Sequence, residues 1–372
     1  MLSINRRQFV ASASSVSSIL GGPVAMSACA PGADPESYEA LAARTWRTAS
    51  SVPGDAAGLR QELVRCATLA PSSHNTQCWK FALADDAITI LPDLLRRCPA
   101  VDPDDHHLFV SLGCAAENLV QAALAHGLLA EPRFDAKTEA IEVPLTATLA
   151  QASPLFEALA LRQCTRGDYD GKPLTREDLV LLERASTGRT VHLLLLTERP
   201  ALERVLDAVV QGNTAQMADA AFVKELKTWI RVNGTQAVRT RDGLFSVASG
   251  NPAIPAWLGD LAFDGFFTVK GENEKYMRQI RSSAGIAVFV GQAADKAHWV
   301  DVGRCYERFA LQATALGIRN AFVNQPVEVP SVRSPFAAAL GLSGQRPDLV
   351  VRFGRGPLMP QSLRRPVQAV LV

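Results

Sequence analysis

The chain has 372 residues, 48% hydrophobic and 20% charged, with a formal net charge of +1. Its length allows two domain-sized units with full cores. The near-neutral balance provides no clustered basic face, so no nucleic-acid partner is expected.

In chain order, the first segment reads as an address. Ser3-Ile4-Asn5-Arg6-Arg7-Gln8-Phe9-Val10 sets a twin arginine ahead of an Ala/Ser/Val/Leu stretch reaching Met26, the layout of a Tat export signal. Gly21, Gly22 and Pro23 interrupt that stretch, leaving it short of the roughly 20 apolar residues of a spanning helix. Met26-Ser27-Ala28-Cys29 resembles a lipobox, and Ala28-Cys29-Ala30 equally reads as an ordinary cleavage site. The expectation is an exported protein, periplasmic or membrane-tethered as a lipoprotein, with residues 1–29 as its signal.

The mature chain alternates helices and strands. Asp34-Pro35-Glu36 predicts a helix start with proline at its first position, leading to Leu41, Ala42 and Trp46. A second helix is expected from Gly58 to Leu69, then a hairpin of Lys80 to Leu83 and Ala87 to Leu91. An Ala- and Leu-rich helix from His107 to His126 ends at Gly127, a C-cap residue. Thr175-Arg176-Glu177-Asp178 opens another helix, and Val191 to Leu196 is a buried strand. Ala284 to Val290, Asn320 to Val323 and Leu349 to Phe353 are strands, and Asp295 to Leu316 is a long helix stopped by Gly317. The two long alanine-rich helices, each ending at glycine before an extended segment, suggest an architectural repeat. Between about Val232 and Gly271, seven Gly and Pro residues alternate with Phe245, Trp257, Phe263, Phe266 and Phe267. That pattern is too irregular for a regular element and too aromatic for a linker, which predicts a lid.

The seven cysteines (29, 66, 78, 98, 114, 164 and 305) contain no Cys-x-x-Cys and no zinc spacing. His106-His107 lacks a suitably spaced third ligand, and adjacent histidines are expected to point to different faces, so no metal is expected. No G-x-G-x-x-G or Walker motif precedes a helix.

The polar turn Ala70-Pro71-Ser72-Ser73-His74-Asn75-Thr76-Gln77-Cys78-Trp79 supplies short neutral donors and acceptors, suited to a flat ring edge and a sugar chain. It resembles the A-P-S-x-x-N-x-Q-P-W signature of the nitroreductase superfamily, with Cys78 in place of proline. Arg162-Gln163-Cys164-Thr165-Arg166 is similar to the family's R-x-S-x-R phosphate motif, with Cys164 in place of serine; an arginine fork suits a dianionic phosphate. Arg352-Phe353-Gly354-Arg355 and the basic tail at Arg364-Arg365 resemble the ending that closes over the same phosphate. Phe322-Val323-Asn324-Gln325-Pro326 resembles the segment near the flavin N5 edge.

The resemblance runs along most of the mature chain and is strongest to the Acg family of FMN-binding oxidoreductases. It implies an α+β nitroreductase-like three-layer sandwich, a central mostly antiparallel sheet flanked by helices, in two fused halves forming a pseudo-dimer. The halves would be 30–150 and 151–372, the second including a lid at about 232–271. It also implies one FMN, held by Ser72, Ser73, Asn75, Gln77, Arg162, Cys164, Arg166, Asn324, Gln325, Arg364 and Arg365, with no protein residue assigned as catalytic. Arg44-Thr45-Trp46-Arg47 and Ala185-Ser186-Thr187-Gly188 would be the degraded counterparts in a lost second site. Electrons or hydride would pass to a small flat acceptor, a quinone or nitroaromatic, from a membrane quinol or a redox protein, with activity toward NAD(P)H doubtful and the chain acting as a monomer. The alternative is a flavin-binding or flavin-storage protein whose closed lid prevents turnover.

Overall fold

The computed structural model describes residues 37–48, 55–259, 263, 265 and 267–372; the twin-arginine and lipobox segments lie outside them. The first helix, α1, runs Tyr38–Thr45 under an N-cap from Ser37, and α2 runs Ala56–Thr68, capped by Asp55. The polar turn then leads into β1 (Trp79–Leu83) and β2 (Ala87–Pro92), the expected hairpin. Next come α3 (His106–Ala125), β3 (Leu128–Ala130), β4 (Arg133–Asp135) and β5 (Ala140–Ala147). Short α4 (Pro154–Ala158) leads to α5 (Arg176–Ser186), β6 (Val191–Leu196), α6 (Arg199–Ala218) and α7 (Ala220–Trp229). In the predicted lid, β7 (Ile230–Arg231), α8 (Gly234–Thr240) and β8 (Leu244–Phe245) precede α9 (Val269–Arg281). The chain closes with β9 (Gly285–Gly291), α10 (Lys296–Ala315), β10 (Arg319–Phe322), α11 (Gln325–Glu328), α12 (Pro330–Ala339) and β11 (Pro347–Gly354).

The fold is α+β, with antiparallel sheets packed against helices. The first sheet has the order β1-β2-β5-β3, with β4 also on β5; the second has β10-β11-β9-β6. Matching β1 to β6, β2 to β9, β5 to β11 and β3 to β10 gives both sheets the same strand order. The same matching pairs α2 with α5 and α3 with α10, and Gly127 and Gly317 end the two long helices at φ of 77° and 69°. Both glycines take the left-handed C-terminal position anticipated for them.

The two long helices cross in direct backbone contact. A methyl on Gly113 of α3 would overlap the Val300 carbonyl of α10, and one on Gly303 would overlap the Val110 carbonyl. The contact is reciprocal, as a two-fold relation between halves requires. α3 is long and apolar enough to cross a membrane by length and composition, but 78% of that stretch is buried inside the protein. Gly113→Ala should force the helices apart and lower stability by about 1–3 kcal/mol, the range for overpacking. Chemical denaturation would measure it, and an unchanged midpoint would mean the crossing yields freely.

Three regions depart from the sequence reading. Residues 128–147 form three strands, where alternation was too weak to read. Residues 199–229 form two helices, one of them starting at Arg199 with proline in its first turn. The lid is partly regular: α8 takes its N-cap from Asn233, and Phe245 and Ala248 pack with Leu41, Ala237 and Leu363 into a small core of their own. Trp257, expected to pack, is 81% exposed.

Candidate functional site

The polar turn after α2 is the most constrained backbone in the chain. His74, Asn75 and Gln77 all have positive φ, at 49°, 54° and 56°. Such residues persist only where surroundings fix them, because each costs about 1–2 kcal/mol against ordinary backbone. Asn75 Nδ2 donates to the carbonyls of Gly243 (3.0 Å) and Leu363 (3.3 Å), and its Oδ1 accepts from Arg364 Nη1 at 3.0 Å. Gln77 Nε2 donates to Arg241 O at 2.8 Å, its Oε1 accepts from the Arg365 backbone N–H at 2.7 Å, and its own N–H donates to Ser72 Oγ at 2.8 Å. The lid and the C-terminal tail therefore clamp the turn from outside, and the lid is no detachable flap.

This clamp presents Ser72, Ser73 and His74 to a cleft of about 210 Å³ that opens to solvent. Opposite the turn stand Arg166, Asn324 and Gln325. Arg166 is set by its neighbours: Gln279 Nε2 donates to its carbonyl, and buried Arg352 donates to Thr165 O (3.1 Å) and Gly167 O (2.7 Å) on either side. Among the described residues no carboxylate or carbonyl accepts from the Arg166 guanidinium. Asn324 Oδ1 accepts from Val350 N–H at 2.9 Å, while Gln325 Nε2 donates to Tyr276 OH at 2.6 Å and its buried Oε1 has no partner.

Sequence reasoning missed several wall residues. Lys275 of α9 enters the same cleft; burial holds its pKa down, Glu272 pulls against that, and Arg166 adds to it. Glu272, 3.9 Å from Lys275, lines the cleft as well, so Arg166 is the cation left to favour an anionic ligand. Asn213 and Gln216 of α6 and Phe222 and Leu226 of α7 form part of the cover, with Leu244 and Phe267 from the lid. Nothing in their local spacing marked them, because they belong to helices whose only signal is ordinary amphipathicity. Glu328 and His107 face each other at 3.8 Å on another wall, and burial raises the Glu328 carboxyl.

Six of the expected ligands lie outside the cleft wall. Asn75, Gln77, Arg364 and Arg365 are occupied by the clamp; Arg364 also donates to Thr68 O, Leu69 O and Ala70 O at 2.7–3.1 Å, taking up the last carbonyls of the α2 end. Arg162 is 2% exposed, paired with buried Glu307 at 3.1 Å and donating to Leu69 O at 2.6 Å, so it is committed to the interior. Cys164 bridges to Asn320 at the edge of the second sheet. In this arrangement these six position the site, and their geometry gives them no direct face on the cleft. The Arg44-to-Arg47 segment is likewise engaged: Trp46 lies under Arg364 at 4.9 Å and Arg47 pairs with Glu62 at 2.5 Å. At the Ala185-to-Gly188 segment, Arg308 binds the Ala185 and Thr187 carbonyls.

The His106 and His107 rings lie 4.5 Å apart, on one side, against the expectation that they diverge. They are the first two residues of α3, whose N-cap, Asp105, is left-handed at φ 59°. Asp102 completes a trio within 4.8 Å, but its two oxygens accept the His107 and Leu108 N–H groups, and His106 Nε2 lies 2.9 Å from Asp348.

No protein-family model matches the chain. Over 321 residues it is 26% identical to a Mycobacterium tuberculosis protein named as an NAD(P)H nitroreductase, Rv3131, covering 82% of this chain and 88% of that one. It is 23% identical over 326 residues to the M. tuberculosis protein acg, named likewise, covering 82% and 93%. Among solved structures, a nitroreductase with bound FMN from Desulfitobacterium hafniense matches at TM-score 0.38 and 14% identity, covering 58% of this chain and 96% of that one. The resemblance read from the sequence motifs thus extends, in these relatives, along most of the chain.

Proposed function

We propose that this chain is an Acg-type member of the nitroreductase superfamily, an exported FMN-dependent oxidoreductase that delivers electrons or hydride to small flat acceptors, quinones or nitroaromatics. The observation that carries the reading is the convergence of Ser72 and Ser73 from one half with Arg166, Asn324 and Gln325 from the other on a single cleft. The residues present fit FMN: the cation Arg166 suits its phosphate, and the unpartnered Gln325 Oε1 suits a ring N–H.

FMN, when bound, supplies the electron-transfer chemistry. Ser72 and Ser73 offer hydroxyls from a turn locked by Asn75 and Gln77, so little ordering is left to occur on binding. Arg166 lowers the cost of negative charge in the cleft, and α6, α7 and the lid restrict water. The matched strand orders and the reciprocal Gly113 and Gly303 contacts support a fused pseudo-dimer acting as a monomer, with one site kept. The alternative, flavin storage without turnover, draws support from the same cover over the cleft.

Export rests on the twin-arginine segment and, with the possible lipidation of Cys29, favours a membrane quinol or a redox protein as donor. Hydride transfer from a nicotinamide requires its ring within about 3.5 Å of the flavin, a near-attack distance. With Phe222, Leu226 and Phe267 over the cleft, NADH and NADPH are expected to reduce the flavin slowly. Anaerobic mixing of the oxidised protein with excess NADH or NADPH tests this. Bleaching only by dithionite or a quinol is expected; rapid bleaching at low nicotinamide concentration would overturn the donor assignment. Steady-state turnover with a quinol and a quinone acceptor then separates the enzyme from the storage protein.

A further inference from the structure

We propose that His74, Cys98 and Glu225 form a binding site for one zinc-like divalent ion at the rim of the cleft. A ring nitrogen of His74, Sγ of Cys98 and a carboxylate oxygen of Glu225 all lie within 4.8 Å of one another. Imidazole, thiolate and carboxylate are the three donor types zinc takes, at roughly 2.0–2.3 Å each in a tetrahedron. Donors in such a tetrahedron sit roughly 3.3–3.8 Å apart, so closure requires side-chain shifts of about 1 Å.

Each ligand is prepared in a different way. His74 Nε2 is buried and unpartnered, which leaves an imidazole nitrogen, a common metal ligand, without a competing protein contact. Glu225 is oriented by the backbone: Ala100 N–H donates to Oε2 at 2.9 Å and Val101 N–H to Oε1 at 3.1 Å, leaving lone pairs on both oxygens. Its carboxylate is half-buried, and no cation among the described residues forms an ion pair with it. Cys98 is 4% exposed and not in a disulfide. Binding releases the Cys98 proton to solvent, and the thiolate and carboxylate then balance the two charges of the ion.

The sequence offered no zinc spacing because the ligands come from three separate elements: the turn after α2, the loop before α3, and α7 of the cover. The same separation gives the site its consequence. An ion held there ties the cover helix to the turn that carries Ser72 and Ser73, and three protein ligands leave a fourth position for water or a cleft ligand.

The test uses the full chain incubated with zinc chloride or cobalt chloride and then dialysed. About one equivalent of zinc should be retained. The cobalt form should show tetrahedral bands in the red, beyond the flavin absorption, and a thiolate charge-transfer band. Cys98→Ser should remove the charge-transfer band, and Glu225→Gln should weaken binding by at least about tenfold, the lower end for disturbing a metal shell. Thermal melts of the metal-free forms establish that the variants fold. Glu225→Gln serves independently should Cys98→Ser fail to fold. No retained ion, or retention unchanged by these substitutions and therefore due to another part of the chain, would overturn the proposal.

Discussion

Replacing Arg162 with alanine is expected to destabilise the protein by about 3–5 kcal/mol, the range for breaking a buried ion pair from one side. The substitution strands Glu307, 0% exposed, and leaves Leu69 O without its 2.6 Å donor. Burial already pushes the Glu307 carboxyl up to about 7 against the pull of Arg162, so in the variant it rises further. A carboxyl whose folded pKa lies above its unfolded value of about 4.3 binds extra protons in the folded state. Its contribution is complete below that value and is lost as pH rises. The melting temperature of Arg162→Ala should therefore go on falling above about pH 7, where the parent's Glu307 contribution is already lost and its curve levels off. A variant as stable as the parent would mean that Arg162 is not committed to the core.

Arg166→Ala should do the opposite: weaken FMN binding by about 1.5–3 kcal/mol, roughly 10- to 150-fold, with little effect on folding. The side chain faces the cleft, and only its backbone carbonyl is used by Gln279. Flavin fluorescence titration of the apoprotein, beside a denaturation curve, measures both quantities. Unchanged affinity, or a stability loss as large as that of Arg162→Ala, would remove Arg166 from the binding site.

These contrasting expectations fall on two arginines four positions apart in one motif, which shows what the sequence holds and what it hides. The motif marked the right neighbourhood, since Arg166 lines the cleft and Arg162 lies behind it. It could not say which fork is free, because Glu307 and the end of α2 are distant in sequence from both. The polar turn behaves the same way. Ser72 and Ser73 face the cleft, while Asn75 and Gln77 hold the turn through lid and tail carbonyls, and side-chain chemistry alone does not separate a ligand from a clamp. Local signals served well where local physics decides: the caps at Thr175 and Asp295 and the glycines ending the two long helices were legible as letters. The cover was not, because no element was read over residues 199–229 and only the fold brings α6 and α7 to the cleft, while Lys275 enters it through the packing of α9.

The central claim is one flavin in one cleft, and flavin content per chain tests it most directly. Protein loaded with excess FMN and then dialysed should retain close to one flavin per chain by its absorbance. Arg166→Ala should lose that flavin on dilution while remaining folded. A ratio near two would mean that the Arg44-to-Arg47 and Ala185-to-Gly188 segments still build a second site, and a ratio near zero in well-folded protein would contradict the flavoprotein reading altogether.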